Sequence, residues 1–411
     1  MNDLLDGVRV LDLTTILAGP FAAYQLSLMG ADVIKLEIPD GGDPARDLGS
    51  ENPQHIPSMG PSFVAQNAGK RSIAVDLKTP GGREIFTRLI QESDVLLENM
   101  RPGVLGRLGF PPERIREINP HLVYCAVSGF GQTGPIASRP AYDQIIQGLA
   151  GMIDVTGFPE TDPVRAGFPI ADTLGGFAAA MAICAALARR GEERAGCFLD
   201  VSMLETALTA MGWAVSDYLV GGRPSRRRGN HNVTSSPSGT FRTGRGQLNI
   251  AANSQAQFEV LCRVCACEHL ITDSRFSTRG DRKKNREALT LELEESLAAR
   301  TAIEWEHLLS EAGVPAGRVL TVEESLAQPQ VVARGLVHEM ELPASGGRMV
   351  SLVGSGIHVD GTTLSPSSPP PLLGEHTDEI LTELGYSPEQ VAALRAERVL
   401  SPAIRKVSHV F

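Results

Sequence analysis

Two carboxylates and a phenol offer the clearest chemistry in this sequence. Asp172 opens its most strongly helical stretch, residues 172–190. A free aspartate has a reference pKa of about 3.9, so it is ionised at neutral pH and attacks a carbonyl carbon without a general base. The start of a helix exposes unpaired N–H groups, and Gly175 and Gly176 let a backbone approach closely. Together they could stabilise the oxyanion that develops near Asp172. Aspartate is equally a common helix N-cap, and position alone favours that structural role.

Asp143 and Tyr142 form a second candidate pair upstream. Asp143 precedes a helix predicted to begin near Gln144, so it either supports a reaction or caps that helix, and the sequence leaves both open. Tyr142 has a phenol whose reference pKa is about 10, which makes it a poor base at neutral pH. A reaction that abstracts a carbon-bound proton is therefore disfavoured.

The elements that must position these residues repeat one pattern, a β-branched strand followed by a helix. Predicted strands cover residues 8–13, 33–36, 72–77, 95–97 and 122–127. Helices are predicted after Pro20, over 80–91 and over 112–118. This alternation predicts an α/β fold with a mainly parallel sheet and helices on both faces. Ligands of such sheets bind at the carboxyl ends of the strands.

Gly129 to Gly134 matches the dinucleotide fingerprint G-x-G-x-x-G. The fingerprint requires a helix to open at its third glycine, whereas Pro135 and Pro140 interrupt the segment that follows. We therefore predict no nicotinamide or flavin site.

The second half of the chain changes in composition. A strand at 197–201 and a long helix at 203–220 are followed by the arginines Arg223, Arg226, Arg227 and Arg228. A hairpin at 239–252 and helices at 255–267, 286–299 and 302–312 then predict a second domain. The arginines could meet an acidic substrate, although a solvated charge run is the commoner meaning. A Pro/Ser connection at 365–371 precedes a last helical piece at 375–384.

Composition limits the possible partners and compartment. The 411 residues carry a formal net charge of −10, which argues against nucleic-acid binding. The chain starts without a signal-peptide pattern, and its longest apolar run, 177–188, is short for a membrane span. We therefore expect a cytoplasmic protein with no membrane partner. Cys262, Cys265 and Cys267, with His269 nearby, are predicted to be buried thiols rather than metal ligands.

Nine short motifs in order along the chain carry a family resemblance. They lie at residues 11–13, 18–20, 30–37, 70–73, 98–103, 128–134, 141–143, 169–172 and 371–377. With these motifs the sequence resembles the family III CoA-transferases along nearly all its length. The resemblance implies a Rossmann-like large domain, a smaller α+β domain and an interlocked homodimer. It places the large CoA-binding domain at 1–200, completed by 330–411, a linker helix at 201–224 and the small domain at 225–329.

The resemblance also implies site residues. Asp172 matches the family's nucleophile, and Asp143 and Tyr142 are supporting catalytic residues. The implied CoA contacts are Leu17, Ala18, Asp76, Leu77, Lys78, Asn99, Met100, Arg101, Arg107, Arg139 and Tyr142. Their cations would give an acidic protein a local site for the phosphates of CoA.

The implied reaction moves CoA from an acyl-CoA donor to a carboxylic acid through an aspartyl anhydride and an aspartyl-CoA thioester. CoA is then a substrate, and no cofactor is bound permanently. Succinyl-CoA is a candidate donor and a dicarboxylate a candidate acceptor. Oxalate is disfavoured, because Leu17 replaces the glutamine of formyl-CoA transferases, which carry a glutamate at the place of Asp143.

Two other functions remain open at this stage. The α-methylacyl-CoA racemases share the fold, but they carry a histidine base where this chain has Tyr142. A non-catalytic CoA-binding protein is the other alternative.

Overall fold

The computed structural model describes residues 4–49, 56–189, 195–343 and 345–402. The chain divides into two compact units, each made of separate stretches. The first unit comprises Met1–Met152, Arg165–Leu219 and Gln330–Phe411, and the second comprises Ile153–Val164 and Val220–Pro329. Residues 153–164 thus group with the second unit rather than with the large domain predicted for them. Residues 201–219 group with the first unit rather than forming a separate linker.

Six described strands form the parallel sheet of the first unit. They are Arg9–Asp12 (β1), Asp32–Glu37 (β2), Lys70–Ala74 (β3), Val95–Glu98 (β4), Val123–Ser128 (β5) and Cys197–Ser202 (β6). Their order is β3-β2-β1-β4-β5-β6, and all neighbouring pairs are parallel. The strands β2 and β3 therefore lie on one side of β1, and the strands β4, β5 and β6 lie on its other side. The loops after β1 and β4 border the crevice where sheets of this order bind ligands.

The predicted parallel α/β sheet is confirmed, but one strand is displaced. The third strand was expected at residues 72–77, whereas β3 ends at Ala74. Val75 instead makes an antiparallel bridge to Leu400, and the N–H of Asp76 donates to the carbonyl of Val399 at 2.9 Å. The N–H of Val75 still donates to the carbonyl of Glu37 in β2 at 2.9 Å, so the chain leaves the sheet at Val75 and pairs from there with the C-terminal segment.

Helices cover both faces of this sheet. Up to residue 219 the described helices, of which α7 and α10 bury no residue, are Ala18–Leu28 (α1), Pro61–Asn67 (α2), Pro80–Gln91 (α3), Val104–Arg107 (α4), Pro112–Ile118 (α5), Asp143–Leu149 (α6), Met152–Val155 (α7), Ile170–Ala188 (α8), Met203–Ala210 (α9) and Trp213–Leu219 (α10). Successive strand residues face opposite sides. Val10 packs in the core under α1, α8 and α9, while Leu11 packs in the core under α3 and α5.

Two helices differ from the prediction. The stretch at 203–220 is α9 and α10 rather than one helix, and it breaks at Gly212, whose φ of 42° is in the left-handed region. Helix α8 begins at Ile170, two residues before Asp172. It is long and apolar enough to cross a bilayer by length and composition alone. One side of α8 is nevertheless core, with Ala179, Ala180 and Ile183 buried.

The second unit is built of helices on a small antiparallel sheet. Its strands are Ser238–Arg242 (β7), Gln247–Ala251 (β8) and Ala316–Arg318 (β9), in the order β7-β8-β9. Its helices are Gln255–Val264 (α11), His269–Thr272 (α12), Arg279–Lys284 (α13), Arg286–Leu297 (α14), Ala302–Glu311 (α15) and Val322–Leu326 (α16). The predicted smaller α+β fold is therefore confirmed. Cys262, Cys265 and Cys267 are buried in its core, as predicted, whereas the His269 side chain is 67% exposed.

The chain then returns to the first unit. The remaining elements are Pro329–Ala333 (α17), Val337–Glu341 (β10), Met349–Val353 (β11), His358–Val359 (β12), Thr362–Thr363 (β13), Thr377–Glu383 (α18) and Pro388–Ala396 (α19). Ile380, Leu381 and Val391 of the last two helices join the core under α3 and α5. The hydroxyl of Ser72 in β3 donates to Glu37 and accepts the N–H of Gly374 at 2.9 Å.

Candidate active site

A cavity of about 330 Å³ opens at the carboxyl ends of β1, β4 and β5. Its walls come from four short segments of the first unit and from isolated side chains. The lining residues are Thr15–Ala18, Asn99–Pro102, Val127–Gly129, Ala137, Arg139–Tyr142, Pro44, Asp172 and Met203. The cavity therefore lies beside the loops after β1 and β4, where the strand order reverses, as expected for a sheet of this type.

Asp172 lines this cavity from the third position of α8. The N-cap of α8 is Pro169, which makes no side-chain cap. The interpretation of Asp172 as a helix cap is therefore wrong. Within the described part of the chain, no group hydrogen-bonds the carboxylate of Asp172, so the side chain is free to meet a ligand.

The environment of Asp172 raises the pKa of its carboxyl group to about 7. Burial is the larger cause, because it disfavours the charged form, and the nearby carboxylate of Asp143 is the second. The prediction that Asp172 is fully ionised at neutral pH is wrong for the unliganded chain. A carboxyl group with this pKa is a stronger nucleophile when ionised than an ordinary aspartate.

Asp143 holds the start of α8 from a different helix. It is the first residue of α6, is 8% exposed and makes no cap for α6. Its Oδ1 accepts the N–H of Ala171 at 2.8 Å and that of Asp172 at 3.3 Å. Its Oδ2 accepts the side-chain amide of Gln147 at 2.6 Å. Asp143 thus satisfies backbone donors that the N-terminus of α8 leaves open, which the sequence spacing did not reveal.

The predicted CoA contacts divide into two groups. Leu17, Ala18, Asn99, Met100, Arg101, Arg139 and Tyr142 line the cavity. Asp76, Leu77, Lys78 and Arg107 are not among the lining residues. Leu77 is buried, while the Oδ1 of Asp76 accepts the N–H of Lys78 at 2.9 Å. These four contacts stay predictions.

Arg101 and Arg139 supply the positive charge at this cavity. Both side chains are exposed, and across the described residues neither guanidinium takes part in a hydrogen bond or ion pair. Tyr142 is also exposed, at 71%, and lies just before α6. Two unpaired guanidinium groups beside a carboxylate suit a ligand that carries phosphate or carboxylate groups.

Gly175 and Gly176 allow close approach to α8, as predicted, while the stabilisation of an oxyanion at the start of α8 stays a prediction. Both lie inside α8, where their N–H groups belong to the helical ladder. A Cβ on Gly176 would approach the carbonyl of Ala18 to 2.6 Å, and one on Gly175 would approach Met203 to 3.0 Å. The glycines allow α8 to lie close to α1 and α9.

Sequence reasoning missed one wall of the cavity, the loop from Thr14 to Ile16 between β1 and α1. Thr15 and Asn99 exchange two hydrogen bonds: the Thr15 N–H donates to Asn99 Oδ1 at 2.9 Å, and Asn99 Nδ2 donates to the Thr15 carbonyl at 2.8 Å. These bonds join the loops after β1 and β4. A polar residue just after a strand was the only signal available for Thr15.

The predicted absence of a helix after Gly134 is consistent with the structure. No helix opens there, and α6 begins only at Asp143. The backbone between them forms turns, so the element that would hold a pyrophosphate is missing from this described segment.

Comparison with known proteins places the chain in a family. The sequence pattern of CoA-transferase family III matches residues 5–377. Succinyl-CoA:glutarate CoA-transferase of Homo sapiens is 36% identical over 403 residues, 97% of this chain and 91% of that protein. Acetyl-CoA:oxalate CoA-transferase of Acetobacter aceti is 38% identical over 357 residues, 87% of this chain and 89% of that protein.

A solved structure agrees with these sequence matches. The CAIB/BAIF family protein from Brucella suis superposes with a TM-score of 0.83 at 35% identity and covers 93% of this chain and 100% of that one. The fold, the full-length matches and the named activities of the relatives all agree. This chain belongs to CoA-transferase family III and is a transferase enzyme.

Proposed function

We propose that Asp172 is the nucleophile through which this enzyme moves CoA from an acyl-CoA donor to a carboxylic acid. The observation that carries the proposal is the unpaired carboxylate of Asp172 in the cavity at the carboxyl edge of the sheet. Asp143 fixes the backbone from which it projects. Arg101 and Arg139 offer positive charge on the same cavity.

The proposed reaction consists of four acyl exchanges. The carboxylate of Asp172 attacks the donor thioester, the C–S bond breaks, and CoA thiolate leaves a mixed anhydride. The thiolate attacks the aspartyl carbonyl and releases the donor acid, which leaves an aspartyl-CoA thioester. The acceptor carboxylate opens this thioester to a second anhydride. The thiolate then attacks the acceptor acyl carbon, which releases the new acyl-CoA and restores Asp172.

This scheme uses no permanent cofactor, and CoA enters it as a substrate. Each step exchanges one activated acyl bond for another, so neither ATP nor a metal ion is required. Tyr142 is proposed as a supporting residue at the cavity mouth, where its phenol is exposed.

Succinyl-CoA as donor and a dicarboxylate as acceptor are the substrates we propose. The human relative is named for succinyl-CoA and glutarate, and Arg101 or Arg139 could pair with a second carboxylate. The relative from Acetobacter aceti is named for oxalate at a similar identity, so oxalate belongs among the acids to be tested.

We also propose that the enzyme is an interlocked homodimer. Helices α6, α8 and α9 pack together and leave large apolar side chains exposed. These are Ile145, Leu149, Phe177, Met181 and Leu208. Several large apolar side chains exposed on helices that pack together suit a protein interface. Light scattering after gel filtration should give twice the chain mass, and Met181→Glu should reduce the dimer fraction. A monomer over the micromolar range would reject the dimer.

A cytoplasmic location completes the proposal. All six cysteines are free thiols, which suits a reducing compartment. Fractionation of cells that express the full chain with a C-terminal tag would test the location. Enrichment of the protein outside the cytosol would count against it.

The decisive experiment is an acceptor screen. The enzyme is mixed with succinyl-CoA or acetyl-CoA and with mono- and dicarboxylic acids of increasing length, and products are identified by mass spectrometry. Hydroxylamine added during turnover should convert the activated Asp172 to its hydroxamate, detected in the peptide that contains it. Asp172→Asn and Asp172→Ala should lose both transfer and trapping. Full activity in either variant would overturn the proposed nucleophile, and α-deuterium uptake without an acceptor acid would indicate a racemase.

A further inference from the structure

Ile16 has a backbone conformation that its side chain disfavours. Its φ is +70°, in the left-handed region. For a β-branched residue this conformation is a genuine outlier and persists only where the surroundings hold it. Among the described non-glycine residues with positive φ, which are Ile16, Ser58, Ala266, Asp360 and Arg398, Ile16 alone is β-branched and alone lines the cavity. The strain therefore lies in a wall of the active site.

Asp43 is the group that holds this conformation. Its Oδ1 accepts the N–H of Ile16 at 3.0 Å and the N–H of Ala45 at 2.9 Å. Asp43 is 1% exposed, so no water competes for these bonds. Hydrogen bonds to a buried carboxylate are about twice as strong as those between neutral groups.

Lys35 in turn holds Asp43. Its Nζ lies 2.9 Å from Asp43 Oδ2, and both side chains are fully buried. The same Nζ donates to the carbonyl of Thr14 at 2.8 Å. The ion pair therefore contacts the backbone on both sides of Thr15, at a carbonyl before it and at an N–H after it.

The loop held in this way is connected to a second wall. Thr15 lies between the two anchored positions and exchanges two hydrogen bonds with Asn99. Asn99 is followed by Met100 and Arg101, which also line the cavity. A change in the backbone at Ile16 would thus disturb the loops after both β1 and β4.

A second buried ion pair lies next to Asp43 and differs from it in its contacts. Arg46 and Glu37 form a bidentate pair at 2.7 and 2.8 Å, and Arg46 also donates to the carbonyls of Ser58 and Pro371. Among the described residues neither side chain hydrogen-bonds residues 14–17, although Glu37 Oε2 accepts the N–H of Asp43 at 3.0 Å. A third buried pair, Lys70 with Asp12, does reach the loop, because Asp12 Oδ1 accepts the N–H of Thr14 at 2.9 Å. Of these three pairs, the one formed by Lys35 and Asp43 is the pair that binds the N–H of Ile16.

We propose that Asp43 and Lys35 are positioning residues for acyl-CoA binding, which act by keeping Ile16 in its left-handed conformation. The proposal rests on the proposed function, because it assigns the acyl-CoA to this cavity. Neither residue needs to touch the substrate. Their effect passes through the backbone of residues 14–17 and through Asn99 to the two walls that the ligand meets.

Rescue by glycine tests this directly. Asp43→Ala should raise the KM and Kd for acyl-CoA about 10-fold, with a smaller change in kcat, because the loop relaxes to an ordinary backbone conformation. Glycine adopts positive φ without cost. The double variant Asp43→Ala/Ile16→Gly should therefore bring KM and Kd back to within about 2- to 3-fold of the Ile16→Gly single variant.

Ala266→Gly supplies the matched control, since Ala266 also has left-handed backbone, at φ 53°, but belongs to the second unit and is not among the cavity-lining residues. In the Asp43→Ala background it should relieve strain elsewhere and leave KM high. Equal rescue by both glycines would overturn the inference, as would an unchanged KM in Asp43→Ala or a raised KM that Ile16→Gly does not lower.

A second pair of variants covers the case in which Asp43→Ala does not fold. Asp43→Asn/Lys35→Met removes both charges and keeps an acceptor oxygen for the Ile16 N–H, so its KM should stay within about 3-fold of wild type. The neutral pair Asp43→Leu/Lys35→Met lacks that oxygen and should show the raised KM. Equal KM values for the two pairs would reject the inference. If the wild-type enzyme binds CoA but does not transfer it, the proposed reaction is rejected alone, because the Kd still reports the positioning effect. If the wild-type enzyme does not bind CoA, the proposed reaction and the positioning role are both rejected.

Discussion

Asp143 and Asp172 lie on different helices, yet Oδ1 of Asp143 accepts the backbone N–H of Asp172 at 3.3 Å. The bond fixes the backbone of Asp172, and the charge that makes the bond also repels the Asp172 carboxylate. One carboxylate thus positions the other and raises its pKa. Each of these two effects can be removed separately.

Replacing Asp143 with asparagine separates position from charge. Asp143→Asn keeps an oxygen for the N–H groups of Ala171 and Asp172 but removes the repulsion, so the pKa of Asp172 should fall. Since burial is the larger cause of the raised pKa, we expect the acid limb of kcat/KM to move down by only about 0.5–1 pH unit. Asp143→Ala should instead lose the backbone bonds, with about 1 kcal/mol less stability and lower activity over the whole pH range. An acid limb that stays in place in Asp143→Asn would contradict the assigned cause.

The wild-type enzyme should show a pH profile set by Asp172. Only the carboxylate attacks, and the pKa of its acid is about 7 in the unliganded chain. The kcat/KM for the acyl-CoA should therefore rise with pH through about 7 and level off above it. Initial rates between pH 5 and 9 in buffers of constant ionic strength would measure this limb. A profile that is already flat at pH 5 would show that Asp172 is an ordinary, fully ionised aspartate.

The same pKa has a consequence for stability. The pKa of Asp172 is higher in the folded chain than in the unfolded chain, so the folded chain binds the proton more tightly. As the pH rises above the unfolded pKa, ionisation of Asp172 therefore lowers the free energy of unfolding. The full loss is reached above about pH 7. Asp172→Asn should therefore be more stable than wild type at pH 8, by roughly 1–2 kcal/mol. The difference should disappear near pH 4. Urea unfolding at both pH values measures it, and an equal gain at pH 4 would point to a cause other than ionisation.

The two cavity arginines should affect the KM for acyl-CoA. Arg101→Met and Arg139→Met each remove a cation that has no partner within the described residues, so nothing in the chain is left unpaired by the change. We expect each to raise the KM for acyl-CoA about 10-fold. Arg114→Met is the matched control, because Arg114 forms an exposed pair with Glu117 at 3.0 Å outside the cavity. If the KM for the acceptor acid rises instead, the arginine binds the acid rather than the CoA.

The packing of α8 against α1 should tolerate no added methyl group at Gly176. A Cβ there would lie 2.6 Å from the Ala18 carbonyl and 2.8 Å from the Phe21 ring. Gly176→Ala should cost about 1–3 kcal/mol and lower the melting temperature by several degrees. Gly167→Ala, where an added Cβ meets nothing within 4 Å, should leave it unchanged within about 1 °C. Equal melting temperatures for both variants would show that α8 shifts freely.

Local patterns were enough to predict the six strands of the parallel sheet and several of the helices between them, although α2, α4 and α7 were not predicted. Thr79 and Pro80 mark the start of α3 at its observed residue, and β4 and β5 follow their β-branched runs within one residue. Single-sequence patterns fail where a distant segment decides. After Val75 the chain pairs with the segment at Leu400, and no local signal reports a partner more than 300 residues away.

The candidate site also combines features that local sequence predicts with features that distant segments decide. Asp172 and the loop after β4, which line the cavity, were recognisable as motifs, because their residue types are tied to short stretches of sequence. The actual role of Asp143 was not, because it caps a helix that begins 27 residues later. The strain at Ile16 depends on a carboxylate from another loop, and an isoleucine after a strand gives no sign of left-handed backbone.

The discontinuity of the first unit sets an order of events during synthesis. One face of its sheet, with Ile73 and Phe86, is closed by Ile380, Leu381 and Val399, which leave the ribosome after the whole second unit. Until then that apolar face stays exposed in the nascent chain. All residues of the second unit are synthesised earlier, so its core can form first. A chaperone that shields apolar surface would act longest on the N-terminal half, although that half is made first. A nonsense mutation just before Ile380 would therefore leave this face of the N-terminal sheet uncovered.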